Sequence, residues 1–188
     1  MTFDRIAAFA VRPAATLAIG CWAAAEAVVL PIVPDVGLCL LVLAAPRQAV
    51  RLFLVVVAGA LVGTWLLASL TSAAPAGVES MLLRVPGIDA PMLAGVDAAL
   101  GDRGVAAFGQ LGAGAPLKVY AFEWLQRDGD LAGLLAGAVL NRLTRIGPGL
   151  AVAAVLGWRL GGWFRARARP VLIAYALGWI VFYAVYLT

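Results

Sequence analysis

Five charged side chains fall in stretches that are otherwise apolar: Glu26, Asp35, Lys118, Arg142 and Arg145. Together they sum to +1. In hydrocarbon a charge costs roughly 2.5–3.5 kcal/mol on insertion scales, so each must pair, meet water or meet a ligand. Arg142 and Arg145 stand at i, i+3 and share one face of a predicted helix. Guanidinium forks grip phosphate oxygens bidentately, whereas Lys118 offers a mobile point charge. Glu26 and Asp35, walled by apolar residues, are candidate proton carriers. The chemistry in view is recognition of an anion beside a protonatable carboxylate. The alternative is a charge network that only ties segments together, above all for Lys118 and Asp35.

The elements that must position these residues are broken helices. Pro31 and Pro34 interrupt the chain between Glu26 and Asp35, and proline ends a helix by clashing with the preceding turn and lacking a donor. The apolar run 14–30 before the break would be about 25 Å long as helix, and the run 36–45 after it about 15 Å. A bilayer core is about 30 Å thick. Residues 14–45 therefore predict a re-entrant hairpin. Residues 104–125 predict a second, broken at Gly112, Gly114 and Pro116 just ahead of Lys118. Three transmembrane helices are expected at 49–71, 131–158 and 170–187, with Pro148 kinking the second. Residues 1–13, with Phe3, Ile6 and Phe9 on one face, predict a short interfacial helix. Residues 72–103, rich in proline, glycine and acids, predict an external connection lying on the membrane. Gly59 and Gly63 form a GxxxG pair suited to helix packing.

The composition supports this reading. The 188 residues are 64% hydrophobic and 13% charged, with a mean hydropathy of +0.99. A soluble domain is about 45–50% apolar and about 25% charged. An all-α integral membrane protein in one domain is expected, with the apolar N-terminal run retained rather than cleaved. No histidine is present, which removes histidine metal sites, Ser-His-Asp triads and His-dependent phosphatases. Cys21 and Cys39 lack ligand spacing and are expected as small buried filler. No metal, cofactor or nucleic-acid partner is expected. Placing both hairpins as re-entrant puts Arg5, Arg12, Arg47, Arg51, Arg159, Arg165, Arg167 and Arg169 on one side, against Arg84, Arg103 and Arg127. The positive-inside rule assigns the first group, including a basic loop at 159–169, to the cytoplasm. The hairpins then enter from opposite sides, each followed by one span. That is an inverted repeat, the architecture in which transporters bind substrate between broken segments.

Four features recur in order: Glu26 with Pro31 and Pro34-Asp35, Gly59 with Gly63, Pro116-Leu-Lys118, and Arg142-Leu-Thr-Arg145. In this the chain resembles the DedA family of the VTT-domain superfamily, over about residues 14–162, and most closely its shorter branch with Pro-x-Lys in the second hairpin. It departs from the family where Leu66–Ser72 replaces the usual Tyr and Gly-Arg, and where Lys118 replaces an arginine–proline tip. The resemblance implies two re-entrant hairpins meeting at the midplane. Glu26 and Asp35 match the family's membrane acids, and Arg142 and Arg145 its arginine pair. Family members are associated with flipping or scrambling lipids, including polyprenyl phosphates and phospholipids, and with dependence on the proton gradient. The expected function is translocation of an anionic lipid head group, with membrane lipid and protons as partners, in a bacterial inner membrane. Oligomerisation is left open. A structural or regulatory membrane protein, or a membrane enzyme acting on a lipid phosphate, remain as alternatives; the enzyme lacks a nucleophile–base pair.

Overall fold

The computed structural model describes residues 2–110 and 115–186. The chain is about 85% helical, with no strand among the described residues. In order, the helices are α1 (Phe3–Ala10), α2 (Pro13–Val28), α3 (Asp35–Ala44), α4 (Ala49–Ala73), α5 (Pro75–Leu82), α6 (Ala90–Arg103), α7 (Leu117–Gln126), α8 (Leu131–Arg145), α9 (Gly147–Ala166) and α10 (Ala168–Tyr186). Short 3-10 turns occupy Pro46–Gln48 and Gly104–Gly109. Among the described residues, three stretches are long and apolar enough to cross a membrane: Pro46–Ala73, Leu131–Ala166 and Ala168–Val185.

The proline break acts as its chemistry requires. α2 ends at Val28, and α3 restarts after Pro34. Gly37 of α3 sits against two side chains of α2: a Cβ there would lie 3.2 Å from the Trp22 ring and 3.3 Å from Ile19. Trp22 Nε1 donates to the Ile32 carbonyl at 2.8 Å, fixing the turn itself. α1 meets α2 at 81°. It buries Phe3, Ile6 and Ala10, while Phe9 is exposed. The i, i+3, i+7 spacing selects that stripe, so Phe9 leaves the face expected for it.

α4 is the central strut, about 37 Å long by its 25 residues. Gly59 lies against the Gly20 carbonyl and Gly63 against the Ala24 carbonyl. A Cβ at Gly63 would also come within 2.8 Å of the Ala27 methyl. Without these side chains the α2 and α4 backbones touch, as a GxxxG pair permits. The connection after α4 folds into α5 and α6. Their buried residues, Val78, Leu82, Leu93, Val96 and Leu100, join Tyr120 and Phe122 of α7 in one apolar cluster.

The apolar stretch Leu131–Ala166 is interrupted beside Pro148: α8 ends at Arg145 and α9 starts at Gly147, with Pro148 in its first turn, where its missing N–H is harmless. Other boundaries differ from expectation. Helix then continues to Ala166, so 159–169 is not a loop: Arg159 and Arg165 lie on α9, and Arg169 on α10. Arginine is a good helix former whose head reaches water on a flexible stem. The run before the second break is a six-residue 3-10 turn, Gly104–Gly109, rather than an apolar helical limb. Gly104 opens it at φ +55, a conformation that interrupts helix. Gly112 and Gly114 lie outside the described residues. Cys39 is half-buried, but Cys21 is exposed, against the expectation of burial.

A second apolar cluster gathers α1, α3, the start of α4 and α9, including Ile6, Leu38, Leu52, Val56 and Leu150. The two clusters meet across a thin polar layer. On α2, Ala23 belongs to one, Ala27 to the other, and Glu26 stands between. Across the α8–α9 junction, Ala138 and Ile146 flank Asn141 and Arg142 in the same way.

Candidate functional site

Glu26 and Arg142 meet in that layer. Arg142 is 1% exposed and Glu26 2%. Arg142 Nη2 donates to Glu26 Oε2 in a buried ion pair. Helix periodicity explains the meeting. Glu26 lies in the last turn of α2, which is held to mid-length of α4 by Gly63, and Arg142 sits in the last turn of α8. A buried pair is kept only if its remaining polar atoms find partners. Yet Arg142 Nε and Asp35 Oδ1 are buried without a hydrogen-bond partner among the described residues.

Lys118 takes a different role from a free point charge. Its Nζ donates to the Glu26 carbonyl at 2.9 Å and the Leu30 carbonyl at 2.6 Å. These belong to the end of α2 and the break after it, where carbonyls lack helical partners. A cation there also meets the negative end of the helix dipole. Asp35, in the first turn of α3, complements the opposite dipole end. Its electrostatic neighbours are Arg142, Glu26 and Arg145. All five charges thus fall into one neighbourhood at the break.

Arg145 is the arginine that faces open space. Its Nη1 donates to the Ala115 carbonyl at 2.7 Å, so it also clasps the chain before α7. It lines a cavity of about 100 Å³ with Glu26, Asp35, Pro31 and Pro116. That volume holds several waters or one compact oxyanion. Pro31 and Pro116 therefore come together although 85 residues separate them in sequence, while Pro34 is buried at the start of α3.

The aromatic wall of this cavity was not read from the sequence. Trp179, Phe182 and Tyr183 of α10 complete the lining. The Tyr183 hydroxyl accepts from the Val33 amide at 2.8 Å, and the Tyr175 hydroxyl donates to the Val36 carbonyl at 2.7 Å. The first satisfies an amide freed by the proline break, and the second ties α10 to the first turn of α3. The i, i+4, i+8 spacing of Tyr175, Trp179 and Tyr183 was the available signal, because it sets three aromatics on one helix face. Asn141 anchors the same layer by donating to the Phe108 carbonyl at 3.0 Å.

Among the described residues, no group of three or more His, Cys, Asp or Glu side chains is placed to hold a metal ion. No family model, curated protein or solved structure matches this chain.

Proposed function

We propose that this chain is a membrane transport protein that moves an anionic lipid head group, such as a polyprenyl phosphate or a phospholipid, past the Glu26–Arg142 pair. The observation that carries the reading is that pair, buried at a helix break and beside a cavity faced by Arg145 and Asp35. A purely structural ion pair gains nothing from a neighbouring cavity with a second arginine in its wall. In this reading residues 14–45 and 104–125 are re-entrant hairpins of an inverted repeat, and the chain belongs with the DedA proteins. It resides in a bacterial inner membrane with its arginine-rich end in the cytoplasm. Supporting the pairing of the halves, Lys118 of the second binds the Glu26 and Leu30 carbonyls of the first.

The mechanism follows from shared partners. Without substrate, Arg142 neutralises Glu26. An arriving phosphate is held first by Arg145, then competes for Arg142 through a bidentate fork. Glu26, losing its cation in an apolar wall, takes up a proton. Anion movement and proton uptake are linked through one arginine. Lys118 stays on the α2 carbonyls throughout and holds the break open.

Head-group-labelled lipids in proteoliposomes, quenched by dithionite, test this. Transport equilibrates the leaflets without changing lipid mass, whereas a lipid-phosphate enzyme changes the mass. Glu26→Gln should retain movement but lose its pH dependence between about pH 5.5 and about pH 8.5. Arg145→Ala should lose preference for anionic over zwitterionic lipid, and Arg145→Lys should recover part of it. An unaltered pH profile in Glu26→Gln would reject proton coupling. Leaflets that never equilibrate in the wild type would reject transport.

A further inference from the structure

Away from the central charges, the arginine-rich end carries a larger recess of about 730 Å³. It opens between α1, the end of α3 with the turn Pro46–Gln48, and α9. Arg47 and Gln48 stand on one wall and Arg165 on the other. Its floor is Gly161 and Gly162, where an added Cβ would meet nothing within 4 Å. Helix packing does not account for these two glycines. It does account for Gly157, one turn earlier, whose Cβ would press on the Leu43 carbonyl at 2.7 Å. A glycine inside a helix costs about 1 kcal/mol relative to alanine. Two in a row with open space above them keep a depression in the α9 surface.

The recess continues into an apolar gutter of about 300 Å³, formed by Ala154 and Val155 with Arg159 at its side. Pro46 and Trp158 line both. Trp158 is 70% exposed, and tryptophan collects where hydrocarbon gives way to head groups. A polar, basic chamber thus joins an apolar channel at a tryptophan. That order is the order of a phospholipid: head group, interface, acyl chain. The charge selects the head group. Arg47 and Arg165 line the chamber and Arg159 the gutter, with no acid among their lining residues; Asp4 pairs with Arg165 Nε at 3.4 Å through a contact exposed on both sides. Such a pair is worth little in water and yields to a phosphate.

We propose that this recess and gutter bind one anionic phospholipid, its phosphate between Arg47 and Arg165 and an acyl chain along Ala154 and Val155. The site is separate from the Glu26–Arg142 cavity and does not depend on transport.

Native mass spectrometry of the detergent-purified full chain, with phosphatidylglycerol or phosphatidylcholine of matched acyl chains, tests it. The wild type should retain phosphatidylglycerol in preference. Arg47→Gln with Arg165→Gln should lower that retention about thirtyfold, to the phosphatidylcholine level. Gly161→Leu, which fills the floor and leaves every charge in place, should lower it as well. The drop caused by the recess substitutions should be the same in an Arg145→Gln background, where the central cavity no longer selects anionic lipid. Excess glycerol phosphate should fail to displace the lipid, because the gutter holds the chain. Equal retention of the two lipids by the wild type would overturn the proposal. So would full retention in either recess variant, no drop from the recess substitutions in the Arg145→Gln background, or displacement by glycerol phosphate.

Discussion

Arg142 is the largest side chain that the fold buries completely, and its neighbours divide the labour around it. Glu26 takes its charge, while Lys118 serves the carbonyls of α2 and Arg145 the cavity. Lys118→Met therefore separates architecture from recognition. It strips two charge-assisted hydrogen bonds from a helix end, and should lower unfolding stability in detergent by about 2–3 kcal/mol. The anion preference of the surviving protein should be unchanged. Glu123, on α7 outside the three candidate spans, supplies a pH-dependent term. Burial, then Asp97 and Glu79, push its carboxyl up from 4.5 to about 7, against the opposing pull of Arg127. The folded chain thus holds a proton that the unfolded chain has released. Stability should be highest below about pH 4.5 for this group, fall as pH rises to about 7, and level off above. Thermal unfolding across that range should show the slope in the wild type and a shallower one in Glu123→Gln.

At the scale of elements, close backbone approach sets where the broken helix stops. Gly63 against Ala24 fixes the depth of Glu26 along α4. Gly63→Leu places a side chain into backbone that cannot yield, so it should destabilise by about 1–3 kcal/mol or more. Gly178→Leu on α10 meets open space and should leave the melting temperature close to that of the wild type. The contrast separates packing at the α2–α4 crossing from any general intolerance of bulk. α10 is held differently. Its described residues form no buried core, and the bonds of Tyr175 and Tyr183 tie it to the break between α2 and α3.

Across the whole molecule, charge is sorted by end. Arg51 caps α1 by donating to the Ala10 carbonyl at 2.5 Å, and Arg165 reaches Asp4, both near Arg47. At the far end of α4 stand Asp89 and Asp130, capping α6 and α8, and the Asp97–Arg127 pair at 2.6 Å. The proposed orientation is tested in a background lacking Cys21 and Cys39. An impermeant thiol reagent added to intact cells should label Arg103→Cys, and should label Arg167→Cys only after lysis. The reverse pattern would invert the molecule in its membrane.

Much of this was legible in the chain because it depends on local chemistry. Pro31 and Pro34 dictate a break wherever they fall, and hydropathy marks the long apolar helices without any knowledge of their neighbours. The sequence also singled out the five charges, since charge amid apolar residues is conspicuous. Their partners were not legible. Whether Glu26 binds Arg142, Arg145 or Lys118 depends on the rotation of three helices about their axes, and one residue of register turns a helix by about 100°. Lys118 satisfies carbonyls that exist only because α2 ends beside it. Arg159 looked like part of a loop because arginine is rare in apolar helices, but α9 carries it to a surface its stem can leave. The aromatic wall, the glycine floor of the recess and the polar seam between the two clusters arise from segments distant in sequence. Only packing, which buries apolar faces and leaves the polar layer between them, decides which of those segments meet.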